Sequence, residues 1–450
     1  MRNLYKRIAF AIENQIIQKN YQGGRKLPSI RELCEKYHCS KTTAVKAYDT
    51  LKNKHMVYSV PQSGYYIVEQ SLRNEEIDHS VVDFSTGNPL IGAVHIPDLK
   101  HCLDRAVDLS NNYSIRRDLH GTGSLRKLLP HYLQTFQVFT SVKNVFITLG
   151  IQQMLNLLTH MPFPNGNKTV LIEQPTYRFF MESLKRSGSS VLGIKRTCHG
   201  LDLDELEFLF KTKKIKFFYT VPRNHNPLGT TYPAVQRKSI AELAARHHVY
   251  IVEDDYFGDV VNDARYDPIY AYGDHYHHIY LKSFSKIIPW FRIGIAVIPT
   301  HLLPVFEKET WYSYYQSYFS ASLVSQATLD MYIRSKLLAK HAYEIGKELN
   351  IRLARLQKCL EDLREYGIEH PGITSGFYTY LRFPNIVDEE RLAHELRKKG
   401  IFISRGTLYY LDRSFYEKGI RISISRTNAK DIERGCEIIG LVVKSLTARG

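Results

Sequence analysis

The chain has 450 residues, 44% apolar and 24% charged, which excludes a disordered chain and implies two or three domains rather than one core. No apolar run reaches the length of a membrane span, and the basic start lacks a signal peptide's apolar stretch, so a cytoplasmic protein is expected. The net charge is +16; residues 1–70 hold twelve Lys/Arg against five Asp/Glu, and this excess of seven points to a polyanionic partner.

At the start, Leu4, Ile8, Ala11, Ile12 and Ile16 recur at helical spacing, and Gly23 and Gly24 end that helix. Ser29 and Glu32 form a capping box that opens a second helix running to about His38. Ser40 caps a third over roughly 41–53, with Ala44, Val45, Tyr48 and Leu51 inward and Lys41, Thr42 and Lys46 outward. Two short helices across a tight turn form a helix-turn-helix, whose second helix enters the major groove of DNA. A hairpin, or wing, follows over 56–69, turning at Pro61–Gly64.

Residues 69–80 are polar and charged and read as a linker between a DNA-binding domain (1–68) and a large unit (81–450). Within the latter, strand-like runs at 145–148, 169–172, 215–221, 248–253, 279–282 and 293–298 alternate with helical stretches at 151–160, 178–187 and 233–247. That pattern predicts an α/β fold with a mixed, mainly parallel sheet covered on both faces. A smaller α+β subdomain is expected over about 321–450, with a long helical region, strands in "GFYTYLRF", "IFISRG" and "GIRISIS", and helices near 388–399 and 429–447.

The six cysteines form no CxxC pair and read as reduced thiols. No metal site is expected, because the cluster His275, His277, His278 shows no carboxylate or cysteine partner at ligand spacing.

In open α/β sheets, ligands bind beyond the carboxyl ends of the strands, so the residues just after each strand carry the chemistry. Gly150 opens a helix after the first strand, a turn that can hold phosphate on main-chain N–H groups. Tyr177 after the second strand can lie flat against a ring, or pack locally. Asn226 after the third is a fixed polar tip in a proline-bearing turn. Asp254 at the fourth strand's end can hold a protonated pyridine nitrogen, although acidic strand ends bind magnesium in other folds, and Tyr256 can donate to a phenolate. After the fifth, Lys286 is placed as a Schiff-base lysine, with Ser283, Ser285 and Arg292 for a phosphate. A phosphate, a ring, a phenolic oxygen, a pyridine nitrogen and an aldehyde in one ligand describe pyridoxal 5'-phosphate.

Two resemblances add to this reading. Gly24–Leu33, Ser40–Leu51 and Ser63–Val68 resemble the winged helix-turn-helix of the GntR family. By that resemblance Arg31, Lys41, Thr42 and Thr43 contact DNA and the Ser63–Gly64 wing tip touches the backbone; the outward Lys46 joins them. Lysine stands at 41 where arginine is usual, which favours phosphate contact over base reading. The ordered set Gly150, Tyr177, Asn226, Asp254, Tyr256, Lys286, Arg292, with "GTGSLRKLLPHYL" at 121–133, resembles fold-type I aminotransferases. The two together, with "EDDY" (253–256) and "SFSK" (283–286), resemble the MocR subfamily of GntR-type regulators.

The resemblance implies that Lys286 carries the cofactor as an aldimine, that Asn226 joins Tyr256 at the phenolic oxygen, and that Gly150, Ile151 and Gln152 offer main-chain or side-chain phosphate contacts. Arg421 in "IRISISRT", or less well Arg426, would hold an effector carboxylate, and Arg116 or Tyr113 would reach a phosphate across a dimer. Lys282 stands where glycine is common. The implied protein is a homodimer, with head-to-tail exchange of its DNA modules between subunits as one arrangement, that binds a double-stranded operator and senses an amino compound, or the cofactor itself, by exchange at Lys286. The alternative is an active aminotransferase with a fused DNA-binding module.

Overall fold

The computed structural model describes residues 4–18, 24–68, 80–88, 96–110, 119–260, 266–317, 321–370 and 376–448. The chain forms two compact units, Met1–Ser80 and Val81–Gly450. Residues 69–79, most of the expected linker, lie outside the described residues.

The first unit holds helices α1 (Leu4–Gln18), α2 (Ile30–Tyr37) and α3 (Lys41–Asn53) and the antiparallel hairpin β1 (Val57–Val60)–β2 (Gly64–Ile67). Ser29 and Glu32 close the capping box in both directions, and Ser40 caps α3 through the Thr43 N–H. Ile8, Ile12 and Ile16 meet Leu33, Ala44, Tyr48, Leu51 and Val57 in one core. The expected stripes shift slightly: Ala9 is buried and Leu4 is exposed on α1, while on α3 Ala47 is buried and Val45 is half-buried. Positions 44, 47, 48 and 51 follow the helical repeat, which puts Val45 at the stripe's margin. The Tyr48 ring stacks on Tyr65 at 4.0 Å and its hydroxyl donates to the Pro28 carbonyl, tying α3 to the wing and to the entry of α2.

The second unit is built on an eight-stranded sheet in the order β4-β11-β10-β9-β8-β5-β6-β7. Its strands are β4 (Val145–Thr148), β5 (Thr169–Gln174), β6 (Val191–Thr197), β7 (Gly200–Leu201), β8 (Ile215–Thr220), β9 (Tyr250–Asp255), β10 (His278–Ser283) and β11 (Gly294–Val297). The run from β10 to β6 is parallel, and β11 lies antiparallel between β4 and β10. Both faces are covered, as the continuous apolar strands require. On one, Ile172, Phe217, Tyr219 and Val252 pack against α6 (Ile151–His160) and α7 (Arg178–Arg186). On the other, Leu171, Phe218 and Ile251 pack against α8 (Leu203–Thr212) and α9 (Ala234–Arg246).

Helices α4 (Ile96–Ser110) and α5 (Gly123–Gln134) precede this sheet in the chain, α10 (Ile269–Tyr272) sits within it, and α11 (Leu303–Ser317) follows. The C-terminal part comprises α12 (Leu323–Arg334), α13 (Leu337–Leu363), β12 (Tyr378–Arg382), α14 (Glu389–Lys398), β13 (Ile401–Phe402), β14 (Ser404–Arg405), β15 (Gly419–Ser423) and α15 (Ala429–Thr447). "IFISRG" is not one strand. Ile401–Phe402 pairs in parallel with β3 (Val82–Asp83), while Ser404–Arg405 pairs with β15 in the three-stranded sheet β12-β15-β14. The segment at 82–84 therefore belongs with the C-terminal part. Phe84 is fully buried against Gly435 of α15, where any side chain would strike its ring. No helix among the described residues is long and apolar enough to cross a membrane.

Candidate functional site

The residues singled out at the strand ends gather at the carboxyl edge of the large sheet. Asp254, the next-to-last residue of β9, lies on the same face as Tyr219 of β8, because Tyr219 is in register with Val252. The Tyr219 hydroxyl donates to Asp254 Oδ2 at 2.8 Å, and Oδ1 is buried without a partner. Burial pushes the Asp254 carboxyl up to about 7, Asp255 adding to the rise while Tyr219 and Lys286 oppose it.

Lys286 lies three residues beyond β10. Its Nζ donates to the Gly87 carbonyl at 2.6 Å and stands 5.6 Å from the centre of the Tyr256 ring. Burial, with the charge of Arg421 adding to it, brings its ammonium down to about 8. At neutral pH it is still mainly the ammonium, but its neutral, nucleophilic fraction is far larger than that of an ordinary lysine.

The Tyr256 hydroxyl donates to the Asn224 carbonyl at 2.6 Å. Asn226 is buried with Oδ1 unpartnered, and Asn224 is buried with both amide atoms unpartnered. Tyr177 caps the start of α7, half-buried, and burial raises its phenol well above the usual range. Gly150 caps α6 at φ +108, a left-handed conformation that disfavours any side chain. Ile151 is packed into the core, so only its main chain faces outward chemistry, whereas Gln152 Oε1 is buried and unpartnered. The Ser283 and Ser285 hydroxyls lie 2.9 Å apart. Arg292 is exposed, and its charge reaches Tyr177.

Arg421 projects from β15 and is 5% exposed. Its Nη2 donates to the Ser85 carbonyl, its Nε has no partner, and its guanidinium lies 4.7 Å from the Tyr378 ring centre and 5.5 Å from that of Tyr409. Arg426 is engaged elsewhere, donating to the Asn88 carbonyl at 3.0 Å. Tyr113 and Arg116 lie outside the described residues.

Below the edge, two buried ionic clusters hold the loops in place. Glu173 accepts from Arg196 at 2.9 Å, Thr220 at 2.9 Å, the Val221 N–H at 3.0 Å and the Tyr232 hydroxyl, which fixes the start of the loop carrying Asn224 and Asn226. Burial alone would raise the Glu173 carboxyl, but His225 and Arg196 hold it at about 2. On the reverse face of the sheet Arg223 forks onto Asp255, and Lys282, fully buried, pairs with Asp259 at 3.1 Å with its Nζ 4.0 Å from the Phe136 ring centre. The lysine that replaces the usual glycine is thus part of a buried ion pair.

The histidine cluster does have carboxylate partners, contrary to the sequence expectation: His277 meets Asp274 at 2.6 Å and His278 meets Glu253 at 2.9 Å. Asp274 lies only three residues before His277, so the partner was legible. Among the described residues no three metal-ligating side chains converge.

In the first unit, Lys41, Thr42 and Lys46 are exposed on α3. Arg31 is exposed and pairs with Glu35 at 3.2 Å. The Thr43 hydroxyl lies 2.9 Å from Ser40 Oγ, and Ser63 bonds Tyr66, so both are partly committed within the unit. Gly64 sits at φ +129 at the wing's turn.

Tyr219, Asn224 and Tyr378 were not foreseen at the site. The available signal was parity: Tyr219 interrupts an apolar strand on the face that carries Asp254.

Residues 79–439 match the model for aminotransferase class I and II, and residues 4–67 match that for bacterial regulatory proteins, gntR family. The chain is 38% identical to the uncharacterized HTH-type transcriptional regulator YcxD of Bacillus subtilis, over 97% of this chain and 98% of that one. It is 26% identical to aromatic-amino-acid aminotransferase 1 of Thermococcus litoralis, over 72% of this chain and 78% of that one. Its fold matches the α-aminoadipate aminotransferase LysN of Thermus thermophilus, solved with N-(5'-phosphopyridoxyl)-L-leucine, with a TM-score of 0.73 and 19% identity over 83% of this chain and 94% of that one. The chain therefore belongs to the aminotransferase class I and II family, its fold-type I domain joined to an N-terminal helix-turn-helix of the gntR family.

Proposed function

We propose that the protein is a pyridoxal 5'-phosphate-dependent transcriptional regulator of the MocR type, cytoplasmic and homodimeric, that senses an amino compound at Lys286 and reports it to an operator through the winged helix. The observation that carries the reading is the pairing of an amine at about 8 with a buried carboxyl whose Oδ1 is free, in a chain that also bears an intact helix-turn-helix. The unpartnered atoms fit the cofactor: Asp254 Oδ1 suits a ring N–H, the Asn226 and Asn224 side chains suit a phenolic oxygen, and the Gly150–Gln152 helix start with Ser283, Ser285 and Arg292 suits a phosphate. When bound, the cofactor supplies an aldehyde carbon that takes up amines reversibly.

The chain's own part is to present Lys286 Nζ as the resident amine, to neutralise an effector carboxylate at Arg421, and to couple both to the main chain at 85–88. The carbonyls of Ser85, Thr86, Gly87 and Asn88 accept from Arg421, Ser425, Lys286 and Arg426 in turn. A ligand that engages Lys286 and Arg421 withdraws two of these four donors. The released segment follows the short strand Val82–Asp83 and the buried Phe84, which come directly after residues 69–80, the stretch that joins them to the winged helix in the chain. Effector affinity and DNA affinity are then linked, because the ligand favours one state of this segment over the other.

The test is the visible absorption spectrum of the purified protein beside Lys286→Ala, before and after adding amino acids. A cofactor band in the wild type that is altered in the variant and shifts with an amino acid supports the reading. A protein that stays colourless when given pyridoxal 5'-phosphate overturns it.

A further inference from the structure

A second guanidinium, that of Arg178, is carried by the turn hydrogen-bonded to the segment of Tyr409. Arg178 is the first residue of α7, whose first turn carries no acidic residue. A helix start is electropositive, so a guanidinium there is disfavoured unless an anion joins it. Arg178 Nε is buried and unpartnered. Thr176, two residues earlier, is fully buried, and its hydroxyl also lacks a partner.

This turn abuts the one that carries Tyr409, since the Thr176 N–H donates to the Tyr409 carbonyl at 3.0 Å. Arg421, nine-tenths buried with Nε bare, flanks the same tyrosine at 5.5 Å. Burial raises the Tyr409 phenol, and the charges of both Arg421 and Arg178 work against that rise. Arg292 instead acts on Tyr177. The charges of two guanidiniums thus act on one phenol, and among the described residues neither forms an ion pair.

We propose that Arg178 and Thr176 bind the second acidic group of a dicarboxylic amino acid whose α-carboxylate is held by Arg421. The effector class is then acidic amino acids rather than neutral or basic ones. This rests on the reading of Arg421 given above. A buried, charge-assisted contact of this kind discriminates an acid from its amide by about ten- to hundred-fold.

The test is calorimetric titration of the cofactor-loaded full chain with L-aspartate, L-glutamate and L-2-aminoadipate, with L-asparagine and L-glutamine as neutral isosteres, and with glutarate, which has no amine. At least one acid is expected to bind ten-fold or more tighter than its amide. Arg178→Gln should bring that ratio near one while leaving amide binding within about two-fold, and Arg178→Lys should keep part of it. Equal binding of acids and amides, or a ratio unchanged in Arg178→Gln, overturns the proposal while leaving amine sensing intact. Glutarate binding that depends on Arg178, with no response to any amino acid, leaves an acid-binding site but overturns the assignment of acidic amino acids as effectors, and amine sensing with it.

Discussion

Tyr219 gives its hydroxyl to one oxygen of Asp254 at 2.8 Å and leaves the other bare. The tyrosine thereby orients the carboxyl and lowers its affinity for a proton. Tyr219→Phe removes a buried hydrogen bond, and its loss should cost about 1–3 kcal/mol of stability in urea unfolding. The ionised fraction of Asp254 at neutral pH should also fall. Cofactor retention, followed by absorbance, should therefore weaken near pH 7 and recover at higher pH.

The two shifted groups act on stability in opposite windows. Asp254 has a folded value of about 7 against 3.8, so the folded state holds its proton more tightly. Its stabilising contribution is complete below 3.8 and is lost as pH rises through 7, by up to about 4 kcal/mol. Lys286 is lowered from 10.5 to about 8, so its charged form burdens the fold below 8. That burden lifts between 8 and 10.5, by up to about 3 kcal/mol. Denaturant midpoints of the cofactor-free protein should show Asp254→Asn flattening the first slope and Lys286→Ala the second.

On the DNA unit, Lys41→Ala and Lys46→Ala each remove an exposed cation. Each should weaken binding to specific and non-specific duplexes alike and reduce the slope of log K against log salt by about 1. Fluorescence anisotropy over a salt series measures both. A loss confined to one base position would instead mean base reading.

Gly150 sits at φ +108 with open space where a side chain would be. Gly150→Ala should therefore cost only backbone strain, about 1–3 kcal/mol in urea unfolding, without a cavity or clash contribution.

Much of this was legible because it is local. The Ser29–Glu32 box, the Ser40 cap and the continuous apolar strands each declare themselves within a few residues. The polar residues at strand ends followed from the rule that such sheets bind ligands there. What escaped was set by pairing between distant segments. The strand Val191–Thr197 has its short apolar start broken by Gly193 and runs into the adjacent charges of Lys195 and Arg196, so no continuous apolar run marks it. "IFISRG" divides because its halves find different partner strands. Asn224 reads as one more polar residue of a turn, and only the approach of Tyr256 and Gly376 makes it an enclosed amide.

The pairing of Val82–Asp83 with Ile401–Phe402 sets how the gene can be cut. A fragment meant to keep the large unit must begin before Val82. Starting a few residues later removes a strand, the Phe84 plug against Gly435, and the carbonyls that hold Arg421 and Lys286. The DNA-binding unit, in contrast, ends its last strand at Ile67 and leaves room for a cut within 69–80. The seam between the two halves is therefore asymmetric: generous on the upstream side and without slack on the other.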